Sequence, residues 1–194
     1  MKNESMKHVS IYLAMSLILV SFILGIAGGY YLTPEYNNNM VSATESMGLG
    51  NADRYVDLRY IDKMISHHRG AVLLAQAAEE NTTRREIHIL TKDILETEPK
   101  LIEELYSWKK KWYGDTRKVS DPVQVNLGAK DDKSDLRFLN ALIAHHKSGI
   151  EMTTEIRTKS VRSEILDNAD TVENFLSTSM HTLQSWREAW YGVK

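Results

Sequence analysis

The sequence contains no cysteine and only three prolines among its 194 residues. Without cysteine, the chain has no disulfides, thiolate zinc sites or iron–sulfur clusters. Its net charge of −2 comes without a basic stripe, which argues against nucleic-acid binding. The sequence also lacks phosphate-binding glycine loops, the common hydrolase motifs and the E-x-x-H pairs of carboxylate di-iron oxidases. We therefore expect neither an enzyme nor a nucleic-acid partner.

Charge is also absent from a 24-residue apolar run near the amino terminus, residues 9–32. As a helix this run is about 36 Å long, enough for a hydrocarbon core of roughly 30 Å. Lys2 and Lys7 precede it and the next basic residue is Arg54, so the positive-inside rule leaves residues 1–8 in the cytoplasm. The sequence predicts a single-pass membrane anchor with the rest of the chain outside, in the periplasm or at the cell surface. A cleaved signal peptide is the alternative, although the run is long for one.

The remainder of the chain consists of a polar segment and a duplication. Residues 33–52 have no apolar periodicity and predict a flexible stalk. In the domain at 53–194, residues 57–114 align without a gap with residues 135–192, and 15 positions are identical. A polar linker at 115–134 joins the two copies. Because it is long for a loop between neighbouring helices, we expect it to run along the folded domain.

Each copy has the apolar spacing of two amphipathic helices. In the first copy, Leu58, Ile61 and Ile65 begin a stripe with spacings of three and four residues, and the second copy repeats the pattern. Alternation typical of strands is missing from both copies. The prediction is an all-α fold, in which the transmembrane helix is followed by an antiparallel four-helix bundle of two duplicated helical hairpins.

Two adjacent histidines, His67 and His68, recur in the second copy as His145 and His146. All four fall on the apolar faces of their helices, where burial of an imidazole costs hydration that leucine would not lose. In an up-down bundle the first and third helices are parallel, so the duplication predicts that the two pairs lie at one level. Adjacent helix residues diverge by about 100°, and we therefore expect each histidine to have its own partner. A transition-metal site is the leading hypothesis.

Three further side chains are candidate ligands. Met64 stands four residues before His68 and shares its face, and Met152 follows His145 by two turns. Glu98 interrupts the apolar stripe of the return helix at the predicted level of the histidines, where the second copy has leucine. Thioether and imidazole ligands without cysteine favour copper, Cu(I) in particular. The Glu98 carboxylate is expected either to bind the ion or to orient a histidine.

A structural role for the histidines is the alternative to metal binding. Buried imidazoles commonly form hydrogen bonds with aspartate, tyrosine or backbone groups, and Asp57 and Asp135 are possible partners. Methionines on an apolar stripe are often core residues. The chain would then be a metal-free structural or protein-interaction module of the cell envelope, with a partner that the sequence leaves unidentified.

A family resemblance rests on two motifs, Asp62-x-Met64-Ile65-x-His67-His68-x-x-Ala71 and Trp108-x-x-x-Trp112-Tyr113-Gly114. These motifs resemble the family catalogued as domain of unknown function 305, and the similarity covers about residues 53–192. The resemblance implies an extracytoplasmic, ferritin-like four-helix bundle, and some members of the family are linked to copper binding. It therefore adds to the preference for copper.

Overall fold

The computed structural model describes residues 48–123 and 126–193. This part of the chain contains no strand, which confirms the predicted all-helical fold. Its four helices are α1 (Val56–Glu79), α2 (Arg85–Tyr113), α3 (Ser134–Arg157) and α4 (Ser163–Tyr191). The pairs α1–α2 and α3–α4 form the two hairpins expected from the duplication.

The predicted tail at 1–8, the anchor at 9–32 and most of the stalk lie outside the described residues. No helix that the structure describes is long and apolar enough to cross a membrane. The membrane anchor therefore remains a prediction from the sequence.

The two hairpins have the same local signals at their helix ends. Gly114 and Gly192 follow α2 and α4 with φ values of 63° and 65°, a left-handed conformation that glycine adopts without a steric penalty. The amide of Gly114 donates a hydrogen bond to the carbonyl of Lys110, and that of Gly192 to the carbonyl of Glu188. The duplicated Trp-x-x-x-Trp-Tyr-Gly motif thus ends each hairpin in the same way.

The second hairpin lies antiparallel to the first. Arg162, just before α4, forms an ion pair with Asp57 at the start of α1, with Nε 3.2 Å from Oδ2. Arg84, just before α2, forms the equivalent pair with Asp135 at the start of α3, at 3.3 Å. Because α2 finishes at one end of the bundle and α3 starts at the other, the connection between them, described at 114–123 and 126–133, links opposite ends of the bundle. One long crossover of this kind is the ferritin-like connection.

The antiparallel packing of α1 against α3 corrects the expectation that these two helices are parallel. The histidine pairs nevertheless meet, because His67 and His68 lie at the middle of α1 while His145 and His146 lie at the middle of α3. Reversing one of two equal helices leaves their midpoints together. The prediction that the two histidine pairs lie at one level was therefore correct, although the predicted direction of α3 relative to α1 was wrong. Apolar periodicity does not specify the relative direction of two helices.

The crossover runs along the bundle, as its length predicts. Arg69 of α1 donates to the carbonyl of Val119 at 2.5 Å and forms an ion pair with Asp121 at 3.0 Å. The amide of Val119 donates to the hydroxyl of Tyr106 on α2 at 3.0 Å. Both helices of the first hairpin thus fix this segment in place.

The equivalence of the two repeats extends further towards the amino terminus than the aligned sequences indicate. Leu49 and Leu127 precede α1 and α3, respectively, and both are buried. Arg59 donates to the carbonyl of Leu49 at 2.6 Å, and Arg137 makes the same contact with Leu127. The folded unit therefore begins before residue 53, so the last residues assigned to the flexible stalk belong to the bundle.

The apolar core is divided into two clusters, one towards each end of the bundle. The first cluster combines the beginning of α1 with the end of α3, and contains Val56, Tyr60, Ile61, Met64, Ile65, Leu105, Met152, Ile156, Ile165, Ala169, Val172 and Leu176. The second combines the end of α1 with the beginning of α3, and contains Ala71, Leu74, Ala75, Ala78, Ile87, Ile94, Phe138, Leu139, Leu142, Ile143, Leu183 and Trp186. The four histidines lie between them.

Candidate metal centre

The histidine layer brings together the four imidazoles that the sequence singles out. His67, His68 and His146 are only 4–6% exposed, whereas His145 retains some accessible surface. The rings of His67 and His145 stack with 3.9 Å between their centroids and 4° between their planes. His68 lies 6.0 Å from His67, and His146 lies 6.3 Å from His145. The stacked pair thus joins the repeats, and each repeat adds a further ring next to it.

The two outer histidines have different partners. The Nδ1 atom of His68 is hydrogen-bonded to Oε2 of Glu98, which is 7% exposed. The Nε2 atom of His146 lies 2.9 Å from the hydroxyl of Ser179, which is 6% exposed. The structure thus places Glu98 where the sequence predicts it. In the second repeat Ser179, one turn beyond the position equivalent to Glu98, bonds the histidine instead.

Ser179 is the site residue that the sequence analysis missed. It stands between Leu176 and Leu183 on the buried face of α4, where the first repeat has Leu101. A polar residue in an apolar stripe is the same signal that identified Glu98. The position equivalent to Glu98 is Leu176, and the polar residue of the second repeat lies one helical turn further along α4.

Three ring nitrogens are buried without a hydrogen-bond partner in the described part of the chain. They are Nδ1 of His67, Nε2 of His145 and Nδ1 of His146. The aspartates considered as partners, Asp57 and Asp135, form ion pairs with arginines at the ends of the bundle instead. Buried polar atoms are usually hydrogen-bonded. These three nitrogens therefore either destabilise the folded protein or are available to bind a ligand.

Burial keeps three of the imidazoles neutral. Desolvation, followed by the neighbouring His68, lowers the pKa of His145 to about 4, and desolvation, followed by His145, lowers the pKa of His146 to about 3. The pKa of His67 is lowered well below its usual range, first by desolvation and then by His145, His68 and His146. A hydrogen bond with the backbone of His67 acts in the opposite direction on His145. Neutral imidazole is the form that binds metals, so no proton has to be removed at neutral pH.

Two glycines provide the space in which the stacked rings lie. A Cβ atom at Gly149 would be 2.7 Å from Nε2 of His67 and 2.5 Å from Cδ1 of Leu176. A Cβ atom at Gly70 would be 3.0 Å from Cε1 of His145. Each ring therefore packs against a glycine on the helix of the other repeat, which a larger residue would displace.

The two candidate methionines lie on one side of the histidine layer. Met64 and Met152 are fully buried, and both belong to the first core cluster. This arrangement follows from the antiparallel packing, because Met64 precedes the histidines of α1 while Met152 follows those of α3. The thioethers occupy the same half of the core, as neighbours of apolar side chains.

The donors fit a soft or borderline metal ion in chemical type, but they do not surround a common point. Among the described residues, no three side chains of histidine, aspartate or glutamate are grouped so as to hold an ion. The stacking explains why, since imidazole lone pairs lie in the ring planes and the planes of His67 and His145 are parallel. To share one ion, at least one of these rings would have to turn out of the stack.

Comparison with known proteins gives a matching family model and several similar solved structures, among them CopM. The family model of domain of unknown function 305 matches residues 57–135 and 135–194. CopM in the Cu(I)-bound form is 25% identical with a TM-score of 0.62, and the match covers 70% of this chain and 98% of that chain. CopM in the Ag-bound form, obtained by co-crystallization, is 24% identical with a TM-score of 0.63 and the same coverage. A search of curated proteins found no match.

Proposed function

The chain belongs to the family called domain of unknown function 305, and we propose that its bundle binds a transition-metal ion, copper in particular, through the central histidines. The ion is the bound cargo of a binding or homeostasis protein, and the proposal includes no catalysed reaction. CopM supports the choice of metal, since that protein has been solved in Cu(I)-bound, Cu(II)-bound and Ag-bound forms.

The observation that carries the proposal is the state of the buried ring nitrogens. Nδ1 of His67, Nε2 of His145 and Nδ1 of His146 have no hydrogen-bond partner among the described residues. Hydrophobic residues at these positions would avoid the cost of burying unpaired polar atoms. A metal ion would supply the missing partner for these lone pairs.

The neighbouring groups support the same interpretation. His68 and His146 each have one ring nitrogen bonded to a side chain, Glu98 and Ser179, respectively. A metal-binding histidine typically has this arrangement, in which a hydrogen bond to one nitrogen orients the other towards the ion. Met64 and Met152 would favour Cu(I), because thioether sulfur is a soft ligand.

We extend the proposal to the location of the protein. The apolar run at 9–32 would anchor the chain in a membrane, with residues 1–8 in the cytoplasm and the bundle outside. Copper would then be bound in the periplasm or at the cell surface. Carbonate extraction should leave the full-length protein in the membrane, whereas a mature form that begins near Tyr30 would indicate cleavage instead.

Copper titration of the purified full chain tests the function. Both Cu(I) and Cu(II) should be tried, and binding should raise Tm because a ligand of the native state stabilises it by RT ln(1 + [L]/Kd). The variant with His145→Leu and His146→Leu should lose this response while its far-UV circular dichroism remains helical.

His88→Leu and His181→Leu are the matched controls, since these histidines have no counterpart in the other repeat. Both variants should retain the full rise in Tm. If neither oxidation state of copper stabilises the wild type, or if the His145/His146 variant responds equally, the proposal is wrong. A metal-free role in the envelope would then account better for the histidine stack.

A further inference from the structure

We infer that the two repeats offer opposite imidazole nitrogens to the ion, Nε2 from His68 and Nδ1 from His146. This inference rests on the proposed metal binding and specifies the atoms that perform it. Glu98 and Ser179 are the positioning residues, because each occupies one nitrogen of its histidine and leaves the other as the ligand.

In the first repeat, the carboxylate of Glu98 determines the tautomer of His68. A carboxylate accepts hydrogen bonds and donates none, so the proton between the two groups belongs to Nδ1 of the imidazole. In a neutral ring this leaves the lone pair on Nε2. The hydrogen bond also makes that lone pair more basic, which strengthens a metal bond.

In the second repeat, Ser179 selects the other nitrogen. Its hydroxyl lies 2.9 Å from Nε2 of His146, whereas Nδ1 is buried and has no partner in the described part of the chain. A proton on Nδ1 would be an orphaned buried donor, and such donors are rarer in proteins than unsatisfied acceptors. The proton therefore belongs on Nε2, where Ser179 accepts it, and the lone pair is on Nδ1.

The cause of this difference lies in one turn of the return helix. The first repeat has Glu98 and Leu101 on the buried face of α2, and the second has Leu176 and Ser179 at the equivalent positions of α4. At these two positions each repeat thus has one polar residue, and the polar residue of the second repeat lies one helical turn further along than that of the first. Glu98 also contributes a carboxylate where Ser179 is neutral, so the two halves of the site are chemically different.

Nitrogen NMR of the full chain with ¹⁵N-labelled histidine tests the assignment. Before metal is added, the ring correlations should show a proton on Nδ1 of His68 and on Nε2 of His146. Ag(I) is then added as a diamagnetic substitute for Cu(I). Nε2 of His68 and Nδ1 of His146 should shift and acquire one-bond coupling to silver.

The positioning residues are tested by substitution. Ser179→Ala should give a mixture of bound nitrogens at His146, while the exposed Ser185→Ala should leave the wild-type pattern. Glu98→Gln should weaken silver binding about 10- to 100-fold, and Glu96→Gln, which changes an exposed carboxylate on the same helix, should not.

The outcomes separate this inference from the proposed function. Silver bound through the same nitrogen of both histidines, or the same tautomer for both in the metal-free protein, would overturn the inference and leave metal binding intact. Opposite tautomers without any response to Ag(I) or Cu(I) would support the nitrogen assignment and overturn the proposed function.

Discussion

The ends of the bundle are nearly symmetric, whereas its centre is not. At the two ends, Arg84 and Arg162 make matching contacts with an aspartate, at 3.3 and 3.2 Å, and with a tryptophan ring, at 4.4 and 4.3 Å. At the centre, His68 is bonded to a carboxylate and His146 to a hydroxyl. The duplication thus preserves the contacts that join the hairpins and varies those that surround the histidines.

This difference indicates that the ends of the bundle align the hairpins, whereas the centre determines the surroundings of the histidines. Contacts at the ends align the hairpins, and the same solution works in both repeats because the geometry is nearly twofold symmetric. In the central layer the two repeats have different polar groups beside their outer histidines, a carboxylate in one and a hydroxyl in the other. Substitutions should therefore have matching effects at the two ends and unequal effects at the two outer histidines.

The largest expected effect comes from removing a histidine from the first repeat. His68→Leu leaves the buried carboxylate of Glu98 without its partner, and the free energy of unfolding should fall by about 3–5 kcal/mol. His146→Leu leaves a serine hydroxyl, which is able to bond to a helix carbonyl, and should cost less than about 1 kcal/mol. Urea denaturation of the metal-free proteins at pH 7 measures both values.

Addition of Glu98→Leu to His68→Leu is the control for this explanation. Removal of both members of a buried polar pair is often neutral or stabilising, so the double variant should recover most of the lost stability. Equal losses from His68→Leu and His146→Leu would show that the centre is as symmetric energetically as the ends.

A smaller effect, equal at both ends, is expected for the arginines. Arg84→Ala and Arg162→Ala each remove an ion pair with a largely buried aspartate and a contact with an indole ring. Each should cost about 2 kcal/mol, because both guanidinium groups are partly exposed to solvent. Thermal and urea unfolding should give the same loss for both within about 0.5 kcal/mol, and a clear inequality would contradict the symmetry of the ends.

The effect that is smallest at neutral pH, and that grows only as the pH falls, is a change in the pH dependence of stability at the centre. Burial lowers the pKa of His146 to about 3 in the folded protein, whereas the unfolded chain takes up this proton near pH 6.5. Below about pH 6.5 the unfolded chain therefore binds a proton that the folded protein does not. The free energy of unfolding has its full value above that pH and falls as the pH decreases. His146→Leu should reduce this fall by about 1.4 kcal/mol per pH unit between pH 6 and pH 4.

Chemical denaturation of the metal-free wild type and variant at several pH values measures this difference. Identical slopes would mean that His146 is protonated equally in both states, and the argument from desolvation would be wrong.

The helices and the central residues were predictable because they depend on local pattern. The spacing of Leu58, Ile61 and Ile65 determines a buried helix face, and the position of Glu98 on the return helix follows from counting back from the turn. The alignment of the two repeats also shows that the Asp, Arg and Trp residues at the ends of the bundle are identical. Their pairing across the hairpins could not be deduced, because it depends on the relative direction of α1 and α3.

The arrangement of the four histidine rings could not be predicted from the sequence. Stacking of His67 on His145 depends on side-chain torsions and on the space beside Gly149 and Gly70, which only the packed helices define. The unpaired nitrogens follow from the same torsions. Sequence therefore identified the chemical groups of the candidate site, while tertiary packing determined which of their atoms are available.

The long crossover gives the candidate site a further property. Each hairpin contributes two of the four histidines, and residues 114–133 are the only covalent link between the hairpins. The site is therefore complete only while the hairpins are docked, and the crossover sets the effective concentration at which each hairpin meets the other. Loop-closure entropy changes slowly with length, by about 0.6 kcal/mol per doubling, so moderate insertions in the crossover would hardly affect docking. A cut there would instead make metal binding bimolecular, with an affinity that depends on the concentration of the protein itself.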